Sequence, residues 1–148
     1  MYLDALRKPP ANLEAGAVVE LADGRGQFLG RGLWDPGSPI AVRIHERDPA
    51  RALDAGSFVR RIESALGLRA RLFASGETTA YRLVNGEGDR VPGLVIDRYG
   101  ETAVLRLDGG SLDSWVAPLQ PALARLLGTY GVRSAGVRLG RDAREARA

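Results

Sequence analysis

Short apolar runs separated by turn residues fill the first third of the chain. Residues 17–21 precede Asp23 and Gly24, a pair that favours a hairpin. Residues 27–34 are half apolar and rich in glycine, which is typical of strongly bent strands. Residues 40–44 alternate between apolar and polar positions, as a half-buried strand does. These patterns predict a small β-barrel.

The hydrophobic period changes after residue 50. Leu53, Phe58, Ile62 and Leu66 recur near helical spacing, with charged residues lying off that stripe. We therefore predict a helix over residues 55–73.

Strand patterns return in the second half of the chain. Turn residues separate the candidate strands, and an apolar stripe of helical period precedes the last of them. The predicted elements are strands over residues 79–84, 94–97 and 102–107, a helix over 111–127 and a strand over 134–139. The order strand, strand, strand, helix, strand is that of a small α+β unit.

The charged residues are strongly biased towards arginine. The formal net charge is +3, and Lys8 is the one lysine among 21 basic residues. Arginine can grip phosphate with a planar fork of donors and can stack on bases, whereas lysine cannot. A GC-rich genome produces the same bias without any binding role. The sequence pI of about 9.8 favours an anionic partner under either explanation.

Several classes of chemistry are excluded by residue type. The chain has no cysteine, so it has no disulfide, thiolate metal site or cysteine nucleophile. His45 is the one histidine, and a metal site needs companions, so we predict none. No apolar run is long enough to cross a membrane and no signal peptide is evident, so we expect a cytoplasmic protein. The glycine-rich stretches join strand to strand, unlike nucleotide-binding loops, which open a helix.

The run TTAYRLVNGEGDRVPGLVIDRYGE, residues 78–101, is the sharpest motif. It resembles the signature of the bacterial SAM-dependent 23S ribosomal RNA (cytosine-5) methyltransferases that have an N-terminal PUA domain. The stretches FLGRG, at residues 28–32, and SPIAVR, at 38–43, resemble the PUA segment of that family. The resemblance covers residues 14–140, and it departs from the family at Arg90, where glycine is frequent.

The resemblance implies a mixed β and α+β fold. We expect a truncated PUA-like β-barrel over residues 1–50, a connecting helix over 51–74 and an α+β (EEHEE-type) middle domain over 75–148. In the family a Rossmann domain that binds S-adenosylmethionine follows. Methyl transfer to carbon 5 of cytosine uses a thiolate, which a chain without cysteine cannot supply. We therefore predict no catalytic residue and no cofactor in this chain, and we interpret both ends as truncations of the family pattern.

The candidate contacts to RNA phosphate are arginines on or near the predicted strands and helix. They are Arg31, Arg43, Arg60, Arg61, Arg82, Arg90 and Arg98. The motif residues are interpreted as structural, with glycines supplying positive φ and Asp89 and Asn85 bonding the local backbone. That set comprises Asn85, Gly86, Glu87, Asp89, Pro92, Gly93 and Asp97. The two interpretations are compatible.

Three functional hypotheses follow. The first is the RNA-binding and substrate-positioning portion of a ribosomal RNA methyltransferase, inactive by itself. The second is a stand-alone RNA-binding module, and the third is a non-functional remnant or scaffold. The expected partner is ribosomal RNA rather than DNA or a membrane. An exposed barrel edge also predicts self-association.

Overall fold

The first part of the chain forms a three-stranded antiparallel sheet. The computed structural model describes residues 1–7 and 12–138. The strands β1 (Val18–Ala22), β2 (Phe28–Trp34) and β3 (Val42–Glu46) lie in the order β1-β2-β3. The three strands match the sequence expectation. The described residues show no closure of this sheet into a barrel.

Glycines in β2 allow β3 to pack closely against it. A Cβ atom on Gly30 would lie 2.7 Å from the Ile44 side chain, and one on Gly32 would collide with the carbonyl of Arg43. The register of β2 against β3 shifts at Gly32, which bends the strand. The glycine-rich pattern of β2 therefore reflects close approach of two backbones.

The predicted first helix is confirmed as α1 (Ala55–Leu72). Asp54 begins it with a capping box, in which its carboxylate accepts a hydrogen bond from the Ser57 amide at 2.7 Å. The predicted apolar stripe is buried, and Phe58 at its centre is fully inaccessible to solvent.

The second sheet follows the predicted order of elements. The elements are β4 (Ala80–Asn85), β5 (Leu94–Tyr99), β6 (Thr102–Leu107), α2 (Asp113–Thr129) and β7 (Ser134–Arg138). Strands β4, β5 and β6 are antiparallel, and β7 runs parallel to β6 after the helical crossover α2. The mixed fold class is thus confirmed. Leu139, the last residue of the predicted strand, lies outside the described residues.

The main hydrophobic core lies on one side of the second sheet. Both helices pack there with the inward residues of β4, β5 and β6, and Leu33 of β2 joins them. A smaller core under the first sheet contains Leu21, Trp34, Ala41 and Val42. No described residue of a helix belongs to a core on the opposite face of the second sheet. Neither long helix in the described ranges combines the length and apolarity that crossing a bilayer requires.

Candidate nucleic-acid interface

The signature motif folds into a tight turn between β4 and β5. Residues Gly86–Asp89 form one 3₁₀ turn, and Gly86 and Gly93 have positive φ, as predicted. The Asp89 carboxylate accepts a hydrogen bond from the backbone amide of Asn85 at 2.6 Å. The Asn85 side chain instead accepts a hydrogen bond from Arg82 at 3.1 Å.

Asp89 also anchors the turn to helix α1. Its two oxygens accept hydrogen bonds from both terminal nitrogens of Arg69 at 2.7 Å. The Arg69 and Asp89 side chains are only 13% and 10% exposed. A bidentate pair with this little solvent is among the stronger ionic contacts in proteins. The sequence reasoning did not identify Arg69.

Arg90 ends the turn in the left-handed conformation, with φ 61° and ψ 28°. It is the one residue other than glycine with positive φ in the described ranges. The side chain strains this conformation, whereas glycine adopts it without cost.

We expect the Arg90→Gly variant to be more stable than Arg90→Ala by about 1 kcal/mol, because both lose the guanidinium but only glycine relieves the strained backbone. Urea unfolding of the two variants measures this difference. Equal midpoints would show that position 90 carries no backbone strain.

Two of the predicted arginines tie the two sheets together. Arg43 of β3 is 9% exposed, and it pairs with Glu87 at 3.3 Å and with Asp108 at 2.8 Å. Arg61 of α1 pairs with Glu46 of β3 at 2.9 Å. These contacts hold both guanidinium groups at the junction of the sheets, with little surface left for an RNA phosphate.

Arg31 and Arg98 are also engaged within the protein. Arg31 pairs with Glu20 at 2.6 Å and donates to the carbonyls of Pro49 and Arg51. Arg98 donates to the carbonyls of Gly100 and Tyr130 and to the Tyr81 hydroxyl. Both guanidinium groups thus brace neighbouring loops.

Arg60, Arg82 and Arg90 are the exposed members of the predicted set. Arg82 is 43% exposed and donates to Asp97 at 2.8 Å, and this hydrogen bond raises the pKa of Arg82 above its usual value. Arg60 and Arg90 have no ion pair to a carboxylate within the described part of the chain. The seven arginines thus divide into three exposed ones, of which Arg82 is also engaged by Asp97, and four that are held within the protein.

His45 is buried beside the arginines at the sheet junction. Its ring meets Phe58 edge-on at 5.1 Å, and neither ring nitrogen has a hydrogen-bond partner among the described residues. Burial, reinforced by the charges of Arg61 and Arg43, lowers its pKa to about 3. The imidazole is thus a neutral group packed in the core. No group of three potential metal ligands occurs in residues 1–7 and 12–138.

A groove of about 610 Å³ follows the outer edge of β4. Phe73 and Tyr81 stack in its wall at 4.2 Å, and the Arg98 guanidinium lies 5.7 Å from the centre of the Tyr81 ring. Arg82 and Asp97 contribute from the sheet. The groove combines aromatic and cationic side chains, which is the combination that proteins use to bind single-stranded nucleic acid.

The face of the second sheet opposite the helices carries further basic residues that the sequence reasoning missed. Arg106 of β6 and Arg138 of β7 lie directly opposite one another, and both are exposed. Tyr99 is 58% exposed on the same face. The alternation of β6 and β7 was a signal for these positions, but the pairing of the two strands was not visible in the sequence.

The described residues form a three-stranded sheet and a four-stranded sheet with two helices, and comparison with known proteins shows what this arrangement is similar to. Residues 1–47 match the family model of the PUA-like domain. The chain is similar in sequence to ribosomal RNA large subunit methyltransferases. It is 35% identical over 138 residues to the ribosomal RNA large subunit methyltransferase of Deinococcus radiodurans, covering 90% of this chain and 32% of that protein. It is 40% identical over 111 residues to the methyltransferase I of Shewanella denitrificans, covering 75% and 28%.

Solved structures show the same fold. A chain described as a SAM-dependent methyltransferase from Streptococcus mutans superposes with a TM-score of 0.72 at 22% identity, over 88% of this chain and 34% of that one. A methyltransferase complexed with SAH gives a TM-score of 0.72 over 86% of this chain. The chain spans about a third of the length of the curated relatives that it matches.

Proposed function

We propose that this chain is the RNA-binding and substrate-positioning portion of a SAM-dependent ribosomal RNA cytosine-5 methyltransferase. The observation that carries the proposal is the 35% identity over 138 residues with a ribosomal RNA large subunit methyltransferase. The match of residues 1–47 to the PUA-like domain supports it. The basic composition and the aromatic groove at β4 suit an RNA partner.

Within this proposal the seven predicted arginines contribute to RNA binding in different ways. Arg60 and Arg90 are exposed and can reach phosphate directly, whereas Arg82 is exposed but held by Asp97. The remaining four hold the sheets and loops that present those three. Phosphate contacts position a protein on RNA without reading its sequence. The surface thus serves orientation of the substrate rather than selection of a base.

We further propose that the chain transfers no methyl group by itself. It contains no cysteine, and carbon 5 of cytosine needs a thiolate to make it nucleophilic. The methyl donor is proposed to bind elsewhere in such an enzyme. The division into a barrel over residues 1–50, a helix over 51–74 and a middle domain over 75–148 belongs to the proposal, as does cytoplasmic location.

The proposal predicts salt-dependent binding of ribosomal RNA hairpins by the whole chain. The logarithm of the affinity is expected to fall with the logarithm of salt concentration by about 0.7 for each contacted phosphate in single-stranded RNA. Fluorescence anisotropy measured between about 50 and about 300 mM salt gives this slope. An unrelated basic protein of equal net charge is the control. Affinity no better than that control would overturn the proposal.

A further inference from the structure

We infer that the open face of the second sheet, opposite its two helices, is a binding surface for single-stranded RNA. This inference rests on the proposed function and adds to it a site centred on two arginines that are not among the seven predicted ones. Arg106 and Arg138 hold phosphate there, and Tyr99 stacks on a base. We call this surface the open face and define it by the outward residues of the four strands.

Strand register decides which residues share this surface. Cross-strand partners lie on the same side of a sheet, and residues two apart along a strand do as well. Three rows of partners therefore make up the open face: Asn85, Val95, Arg106 and Arg138; Arg82, Asp97, Val104 and Gly136; and Ala80, Tyr99, Thr102 and Ser134. None of these twelve residues is buried.

The charge of the open face suits an anion. It has three arginines and one carboxylate, and that carboxylate, Asp97, is engaged by Arg82 at 2.8 Å. Arg106 and Arg138 stand opposite each other on adjacent strands, where like charges repel. Neither forms an ion pair with a carboxylate of the described residues. A phosphate between the two guanidinium groups would replace this repulsion with two charge-assisted hydrogen bonds.

The shape of the open face suits a single strand rather than a duplex. Its middle row presents the small residues Val104 and Gly136, so the surface between Tyr99 and Arg106 is shallow. Tyr99 and Arg106 lie two rows apart, which is about 13 Å along the strands. An exposed tyrosine beside a flat basic sheet is an arrangement on which unpaired bases stack. Arg82, Asp97 and Tyr99 also line the groove at β4, which makes the two surfaces continuous.

The main test removes the opposed arginines from the full chain. We expect Arg106→Ala/Arg138→Ala to bind a single-stranded ribosomal RNA oligonucleotide roughly tenfold more weakly, with a salt slope smaller by about 1.4, because two phosphate contacts are lost. The control Arg125→Ala/Arg133→Ala removes the same charge from outside the open face. We expect it to retain the wild-type slope. Circular dichroism checks that both variants are folded.

A second variant changes the surface in the opposite direction. Asp97→Asn removes the carboxylate of the open face and releases Arg82 for phosphate. We expect RNA affinity to rise by about twofold to fivefold, since one repulsive charge disappears beside a polyanion. A purely structural role for the Arg82–Asp97 pair would predict weaker binding instead.

Tyr99→Ala is expected to weaken binding by about fivefold or more through loss of stacking.

The outcomes separate the two proposals. Wild-type binding that the Arg106→Ala/Arg138→Ala variant retains would overturn the open face as an RNA site and leave the proposed function intact. Absence of wild-type binding would overturn both. Displacement of the RNA by polyglutamate, with Tyr99→Ala binding like wild type, would assign the open face to an acidic peptide and so reject single-stranded RNA.

Discussion

Replacing Asp89 with alanine is expected to lower the free energy of unfolding by about 3–5 kcal/mol, because it leaves the Arg69 guanidinium buried without its carboxylate. The same change removes the acceptor for the Asn85 amide, which is bonded at 2.6 Å. Urea unfolding monitored by tryptophan fluorescence measures the loss.

Two controls distinguish this effect from the loss of any ion pair. The Arg51–Asp48 pair is formed by side chains that are 71% and 45% exposed, so Asp48→Ala is expected to cost less than about 1 kcal/mol. The double variant Arg69→Met/Asp89→Leu removes both buried charges and should recover most of the stability. Equal losses in Asp89→Ala and Asp48→Ala would contradict the buried anchor.

The second large effect concerns acid and His45. The pKa of His45 falls from 6.5 to about 3 in the folded protein through burial, with repulsion from Arg61 and Arg43 adding to it. His45 of the unfolded chain therefore takes up a proton near pH 6.5, whereas in the folded chain it stays neutral until the pH approaches 3. Stability from this residue is complete above pH 6.5 and is lost as the pH falls towards 3, so we expect a loss of about 2 kcal/mol between pH 7 and pH 5.

The His45→Phe variant isolates that contribution. Phenylalanine keeps the aromatic contact with Phe58 and has no group to protonate, and neither imidazole nitrogen has a partner to lose among the described residues. Denaturant midpoints at pH 7 and pH 5 should differ for the wild type and scarcely for this variant. The pH range from 5 to 7 lies above the titration of Glu46. Hydrogen bonds, chiefly the one from the backbone amide of Asp48, lower the pKa of the Glu46 carboxyl group. A variant with the wild-type pH dependence would exclude His45 as the cause.

Many arginines of this sequence are engaged inside the protein rather than left free on its surface. Guanidinium groups stabilise a small two-sheet protein when they bridge elements, as Arg43 does between β3 and Asp108. The same chemical properties that make arginine a good ligand for phosphate make it a good partner for carboxylates. A count of arginines therefore overestimates the surface available to RNA.

The order of strands and helices could be predicted from the chain alone because it depends on local signals. The stripe from Leu53 to Leu66 has helical period, and its residues are buried in α1 or, for Leu53, just before it. The alternating runs and turn glycines placed the strands within about two residues of their observed bounds. The capping box of Asp54 and Ser57 is a local signal as well, since its two residues are three positions apart.

The tertiary structure alone decided which charged groups meet. Arg69 and Asp89 are 20 residues apart, Arg43 and Asp108 are 65 apart, and neither separation leaves a periodic trace in the sequence. Strand register likewise placed Arg106 beside Arg138 across a parallel pair that only the crossover through α2 creates. Local periodicity encodes elements because neighbouring residues share one backbone conformation, whereas ion pairs and open faces depend on how distant elements pack.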